Sequence, residues 1–85
     1  MAYSILFAPL AERRLKALAE STQRRIITRI KALQRNPRPQ GVKKLTDEDD
    51  LYRIREGSFR IVYTIRDKEL VVLVLKIDDR KEVYR

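Results

Sequence analysis

Two different spacings of apolar residues divide the chain. In the first half they recur every three to four positions. Ala11, Leu15, Leu18 and Ala19 line one face of a segment from about Pro9 to Ala19, with Glu12, Arg13, Lys16 and Glu20 opposite. Pro9 suits the first turn of that helix, because its missing N–H has no partner to lose there. Ile26, Ile27, Ile30 and Leu33 repeat the spacing in a second segment, which Ser21 or Thr22 can cap and which runs to about Arg35. Two successive amphipathic helices predict a hairpin that must cover something. Ahead of them, Tyr3 to Phe7 is a short apolar strand.

The segment from Asn36 to Gly41, with Pro37 and Pro39, stops the second helix. Beyond it the pattern is β-like. Leu51 to Glu56, Phe59 to Arg66 and Leu70 to Ile77 are rich in Ile, Val, Leu and Tyr, and Gly57–Ser58 and Asp67–Lys68 separate them, which predicts an antiparallel meander. Leu70 to Leu75 is apolar on both faces, as a central strand is when helices cover one side and the other is partly covered. Val83, Tyr84 and Arg85 form a last short strand or a tail. The expected class is α+β: an N-terminal strand and helical hairpin packed on one face of a small, mainly antiparallel sheet.

Alternation within the meander exposes candidate chemistry. Tyr52 and Ile54 point one way and Arg53 and Arg55 the other; after the turn, Phe59, Ile61, Tyr63 and Ile65 oppose Arg60, Val62 and Thr64. If Gly57–Ser58 is a two-residue turn, Arg55 lies directly across from Arg60. Like charges so placed repel, and an anionic ligand would explain their being kept together.

Composition narrows the partners. The 85 residues form one domain, 1–85, which on folding buries only about 60 to 65% of the surface of its extended chain. Without cysteine there is no disulfide or thiolate chemistry, and without histidine the usual neutral-pH acid–base group and metal ligand is missing. Twenty Lys and Arg against twelve Asp and Glu give a net charge of +8, which favours a polyanionic partner: RNA, DNA or an acidic protein. The N-terminus carries no basic region and no apolar run approaches a membrane span, so the expected compartment is the cytoplasm with no membrane partner. Asp47 to Asp50 reads as a solvated loop ahead of a strand, so neither a metal nor another cofactor is expected. Lys43 and Lys44 are candidate RNA contacts, or simply exposed.

The order strand, helical hairpin, Pro-rich break and three-strand meander resembles the RelE family of bacterial and archaeal toxins. Three sequence stretches carry that resemblance: Leu51 to Arg55, Phe59 to Tyr63 and Arg80 to Tyr84. The central motif is shared with the wider RelE/ParE superfamily; Arg80 to Arg85 looks specifically like the RelE branch. The resemblance implies a RelE-like microbial RNase fold and a messenger-RNA endonuclease that acts in the ribosomal A site. A small RelB-like antitoxin, bound in a hetero-oligomeric complex, would hold it inactive. Arg53 and Arg55 fall at basic active-site positions, Arg60 at the transition-state arginine, Arg80 in the basic segment and Tyr84 at the closing tyrosine, with Lys81 beside them as a further RNA contact. Two departures stand out. Asp78 and Asp79 replace a histidine that many relatives carry just before the Arg80 position, and the sequence runs one residue past Tyr84, so the C-terminal helix of some relatives is not expected.

Metal-free RNA cleavage requires a deprotonated 2′-hydroxyl, a stabilised phosphorane and a protonated leaving oxygen. Arginine serves only the second need well, since its guanidinium stays charged and presents a fork of donors matched to phosphate. Tyr84, Glu82, Asp79 and Lys81 are the candidates for proton transfer, and Tyr84 can also stack on a base. Two alternatives stand beside the endonuclease: a ParE-like DNA gyrase inhibitor of the same fold, and a basic nucleic-acid-binding module without catalysis.

Overall fold

The computed structural model describes residues 2–46 and 50–79. Its order is strand β1 (Ser4–Phe7), helices α1 (Pro9–Ala17) and α2 (Glu20–Lys31), a 3₁₀ turn (Ala32–Gln34), then strands β2 (Lys43–Thr46), β3 (Leu51–Glu56), β4 (Phe59–Arg66) and β5 (Val71–Asp79). The five strands form one sheet in the order β1-β5-β4-β3-β2. β1 runs parallel to β5, and every other pairing is antiparallel. The expected α+β architecture, with helices on one face of a mainly antiparallel sheet, is the one observed.

Both helices turn their apolar stripes onto the same face of the sheet. Ala11 and Leu15 of α1 and Ile26 and Ile30 of α2 are buried with Ile54, Ile61, Tyr63, Ile65, Val72, Val74 and Ile77. Burial of this apolar surface is the main favourable term in folding. Truncating a side chain as enclosed as Ile61, which is fully buried, costs about 2–5 kcal/mol. No helix among the described residues is long and apolar enough to cross a membrane.

Several local expectations are corrected. α1 stops at Ala17 rather than Ala19, because Leu18 and Ala19 adopt extended backbone and make the turn between the helices. That turn starts α2 at Glu20, so Ser21 and Thr22 lie inside its first turn and neither caps it. Gln23 fastens the hairpin instead, its side-chain amide donating to the Leu18 carbonyl at 2.9 Å and the Lys16 carbonyl at 3.3 Å, groups that the end of α1 leaves open. The α2 helix ends at Lys31 and tightens into the 3₁₀ turn before Pro37, short of Arg35. Leu70 belongs to a turn with positive φ, its N–H donating to the Asp67 carbonyl, so β5 begins at Val71. β2 was not foreseen: Lys43, Lys44, Leu45 and Thr46 show no period-two pattern, and only pairing with β3 makes them a strand. The strand or tail expected at Val83 to Arg85 lies outside the described residues.

A polar clamp closes the end of the sheet where β4 turns into β5. The Arg38 guanidinium donates to both carboxylate oxygens of Asp67, at 2.9 and 3.3 Å, and its Nε donates to the Tyr52 hydroxyl at 3.3 Å. Tyr3 donates its hydroxyl to Asp67 at 2.7 Å. Tyr63, stacked on Tyr52 with ring centroids 5.9 Å apart, donates to the Pro37 carbonyl at 2.7 Å from a fully buried position. Arg38, then the Tyr3 hydroxyl, hold the Asp67 carboxyl below its ordinary range. Burial pushes the Tyr63 hydroxyl well above its own. These bonds tie the Pro-rich segment, the N-terminus and the β4–β5 turn into one joint.

Candidate nucleic-acid interface

The β3–β4 hairpin forms with the register that alternation predicts: Glu56 pairs with Phe59 and Arg55 with Arg60. Gly57 supplies the positive φ of 62° that its two-residue turn requires, at the first central position as in a type II′ turn. Tyr52, Ile54, Ile61, Tyr63 and Ile65 are buried under the helices, which leaves Arg53, Arg55 and Arg60 on the opposite, open face.

β5 completes that face through an irregularity. Val62 pairs with Lys76 but the next residue, Tyr63, pairs with Val74, so Leu75 is an extra residue in β5. Val72 and Val74 face the core before this bulge and Ile77 faces it after. Unbroken alternation from Val74 would have turned Lys76 and Asp78 inward; the shift turns them out beside the arginines. Two cross-strand rows result. One runs Arg55, Arg60, Asp78, and the next runs Lys43, Arg53, Val62, Lys76. Together they hold five cationic side chains and one carboxylate.

The carboxylate offsets part of the repulsion between Arg55 and Arg60. Asp78 sits directly opposite Arg60, with Oδ2 3.9 Å from a terminal guanidinium nitrogen of Arg60 and 3.5 Å from Lys76 Nζ. The fold therefore supplies one anion of its own, and an external ligand is not needed to account for all of the arrangement. The neutralisation is partial. At 3.9 Å the pair is beyond hydrogen-bonding range, and Arg60 Nε is buried without a hydrogen-bond partner among the described residues. A buried, charged donor left open in this way favours an incoming acceptor. Arg60 is about a quarter exposed, which leaves its fork reachable from solvent. α2 braces the hairpin from behind, with Arg29 Nε donating to the Arg55 carbonyl at 3.4 Å.

These positions bear on family membership, and so do direct comparisons. The family model described as the ParE toxin of type II toxin–antitoxin systems, parDE, matches residues 5–84. The chain belongs to the RelE/ParE toxin superfamily. A Methanocaldococcus jannaschii protein named RelE1 is 31% identical over 74 residues, spanning 84% of this chain and 82% of its own. Toxin RelG of Mycobacterium tuberculosis is 27% identical over 86 residues, spanning 100% of this chain and 99% of its own. A chain in the crystal structure of the archaeal RelE–RelB complex from Pyrococcus horikoshii OT3 matches with a TM-score of 0.83 at 29% identity, covering 94% of this chain and 97% of that one. This protein is thus a RelE-family toxin of the type II class in fold and descent.

Within this toxin the structure brings together Arg53, Arg55, Arg60 and Lys43 on one face. Lys44 is not part of it: it pairs with Tyr52, lies 5.9 Å from that ring's centre and 3.6 Å from Asp50, and so belongs to the helix-covered side. Arg80, Lys81 and Tyr84 lie outside the described residues. Lys76 and Asp78 are the members of the face that sequence reasoning missed. Their signal was the break in alternation itself, since two charged residues continue the parity of Val72 and Val74. Among the described residues no group of three or more acidic side chains could hold a metal ion. Charge on this face is overwhelmingly positive, and it can bind and stabilise phosphate oxygens without further help.

Proposed function

We propose that this toxin is an endoribonuclease that stops translation by cleaving messenger RNA in the ribosomal A site, using attack of a 2′-hydroxyl on the adjacent phosphate. The observation that carries the reading is the pair of rows on the open sheet face, where Arg53, Arg55 and Arg60 converge with Lys43 and Lys76 and Arg60 has a buried donor without a partner among the described residues. Three guanidiniums supply the charge stabilisation that the phosphorane requires, so the reaction needs no metal for that purpose. Arg60 holds the developing charge, Arg53 and Arg55 grip the flanking phosphates, and Lys43 guides the RNA strand. Arg80 and Tyr84 take the roles their positions in the RelE motif imply, Arg80 as a further clamp and Tyr84 as a stacking or proton-transfer group, with Lys81 on the RNA backbone.

A RelB-like antitoxin would neutralise the toxin in a hetero-oligomer, as the relative from Pyrococcus horikoshii crystallised as a RelE–RelB complex. An acidic or amphipathic antitoxin segment suits a chain of net charge +8. Copurification with the product of the adjacent open reading frame tests this, and a stable, harmless, solitary protein counts against it.

A second reading has support of its own, because the matching family model is described as ParE. On that reading the toxin inhibits DNA gyrase and cleaves no RNA. Primer extension on translated messenger RNA separates the two. The endonuclease gives cuts within codons on ribosome-bound message, whereas the gyrase inhibitor leaves message intact and yields linearised plasmid when gyrase is present. A basic module without catalysis gives neither product.

A further inference from the structure

Asp78 is out of place on a surface built for phosphate. It is the one carboxylate in the two cationic rows, it faces Arg60 in register, and a bulge at Leu75 is what turns it to that side. Its Oδ2 is shared between Arg60, at 3.9 Å, and Lys76, at 3.5 Å, so its charge acts on both without saturating the donors of either. Asp78 is about a quarter exposed and Lys76 about half, which leaves room for both to reorient. A cleft of about 220 Å³ between α1 and β5 is lined by Leu10, Arg14, Lys76, Ile77 and Asp78, so Arg14 and Asp78 border the same cleft.

We infer that Asp78 is an internal counter-anion for Arg60, standing where a phosphate oxygen of the RNA will stand and setting the affinity of the arginine face by competing with it. The inference rests on the reading of this face as an RNA-phosphate site and adds a residue that tunes it. A carboxylate oxygen and a non-bridging phosphate oxygen present the same charge-assisted acceptor to a guanidinium. Because the resting contact is longer than a hydrogen bond, an incoming phosphate can take over the Arg60 fork and the buried Nε–H while Asp78 retains Lys76. Asp78 thus lowers the repulsion between Arg55 and Arg60 in the unliganded protein and is displaced, not destroyed, on binding. It is a positioning and tuning residue and not a catalytic one: no proton or bond changes hands through it.

The test uses inorganic pyrophosphate as the probe, titrated into the intact protein by isothermal titration calorimetry, which reads affinity in the same way with and without the Arg60 side chain. Asp78→Asn, which keeps size and removes charge, is expected to bind pyrophosphate about two- to fivefold more tightly, the range of a part-exposed ion pair. The gain is expected to vanish when Arg60→Ala is added, and Asp78→Glu is expected to restore the affinity of the parent. Unchanged or weaker binding by Asp78→Asn overturns the inference, and so does a gain that survives Arg60→Ala, which would mean that only net charge had changed. A thermal melt confirms that each variant is folded. Cleavage of message in a translation extract is scored separately. Intact message with the pyrophosphate result as expected removes the endonuclease reading and leaves the counter-anion, whereas cleavage with no gain in Asp78→Asn removes only the counter-anion.

Discussion

The two ends of β4 carry the same chemical groups and put them to opposite uses. At the far end, Arg38 meets Asp67 through two hydrogen bonds, the shorter 2.9 Å, and Tyr3 and Tyr52 occupy further donors and acceptors. At the near end, Arg60 meets Asp78 at 3.9 Å, has a buried Nε–H without a partner among the described residues, and has Arg55 as its other cross-strand neighbour. The difference is one of saturation. A guanidinium whose fork is filled by its own chain serves as a structural joint, and one held close to a carboxylate without filling its fork remains available to a ligand. The clamp fixes the Pro-rich segment and the turn that launches β5, and so positions the strand that brings Lys76 and Asp78 beside the arginines.

Changes at the two ends should therefore separate activity from stability. The largest effect is expected for Arg60→Ala, which removes the guanidinium proposed to face the reacting phosphate and should lower cleavage by about 10²- to 10³-fold with little change in melting temperature. Kinetics on programmed ribosomes check the first part and calorimetry the second. Next is Tyr63→Phe at the clamp. Losing the donor to the Pro37 carbonyl is expected to cost about 1–2 kcal/mol in a denaturant titration and to leave the cleavage rate of the folded protein unchanged. A fall in rate without a fall in stability would dissolve the distinction between the ends.

Acid offers a finer probe. The folded Asp67 carboxyl titrates below its unfolded value of about 3.9. Its contribution is therefore complete above that value and disappears as pH falls through the lower, folded one. Lowering the pH below about 4 is expected to depress the melting temperature of the parent more steeply than that of Asp67→Asn. Parallel curves would show that the clamp is electrostatically idle. Arg38→Ala is expected to have the smallest effect, about 1 kcal/mol or less, because both Arg38 and Asp67 are about half exposed and water replaces much of what is lost.

Legibility in the sequence followed the range of the interactions. The hairpin from Leu51 to Arg66 was legible to the residue, since strand alternation and a Gly-Ser turn are local signals and the facing of Arg55 and Arg60 follows from them. The helices were legible as stripes but not at their ends, because the extended pair Leu18 and Ala19 answers to packing between the helices. What could not be read depends on distant partners. β2 exists through β3, β1 lies parallel to β5 across most of the chain, and Tyr3, Arg38 and Asp67 meet only in the folded state. The bulge at Leu75 lies between these cases: its trace is present in the sequence as two charges on an apolar parity, but its consequence, Asp78 opposite Arg60, needs the register of β4.

The most direct test of the account compares single-turnover cleavage of ribosome-bound message by the parent toxin, Arg60→Ala and Arg38→Ala at a temperature where all three are folded. The account predicts cuts within codons for the parent, the same cuts at nearly the same rate for Arg38→Ala, and their loss by about 10²-fold or more for Arg60→Ala. Message left intact by the parent, or equal losses in the two variants, would contradict it.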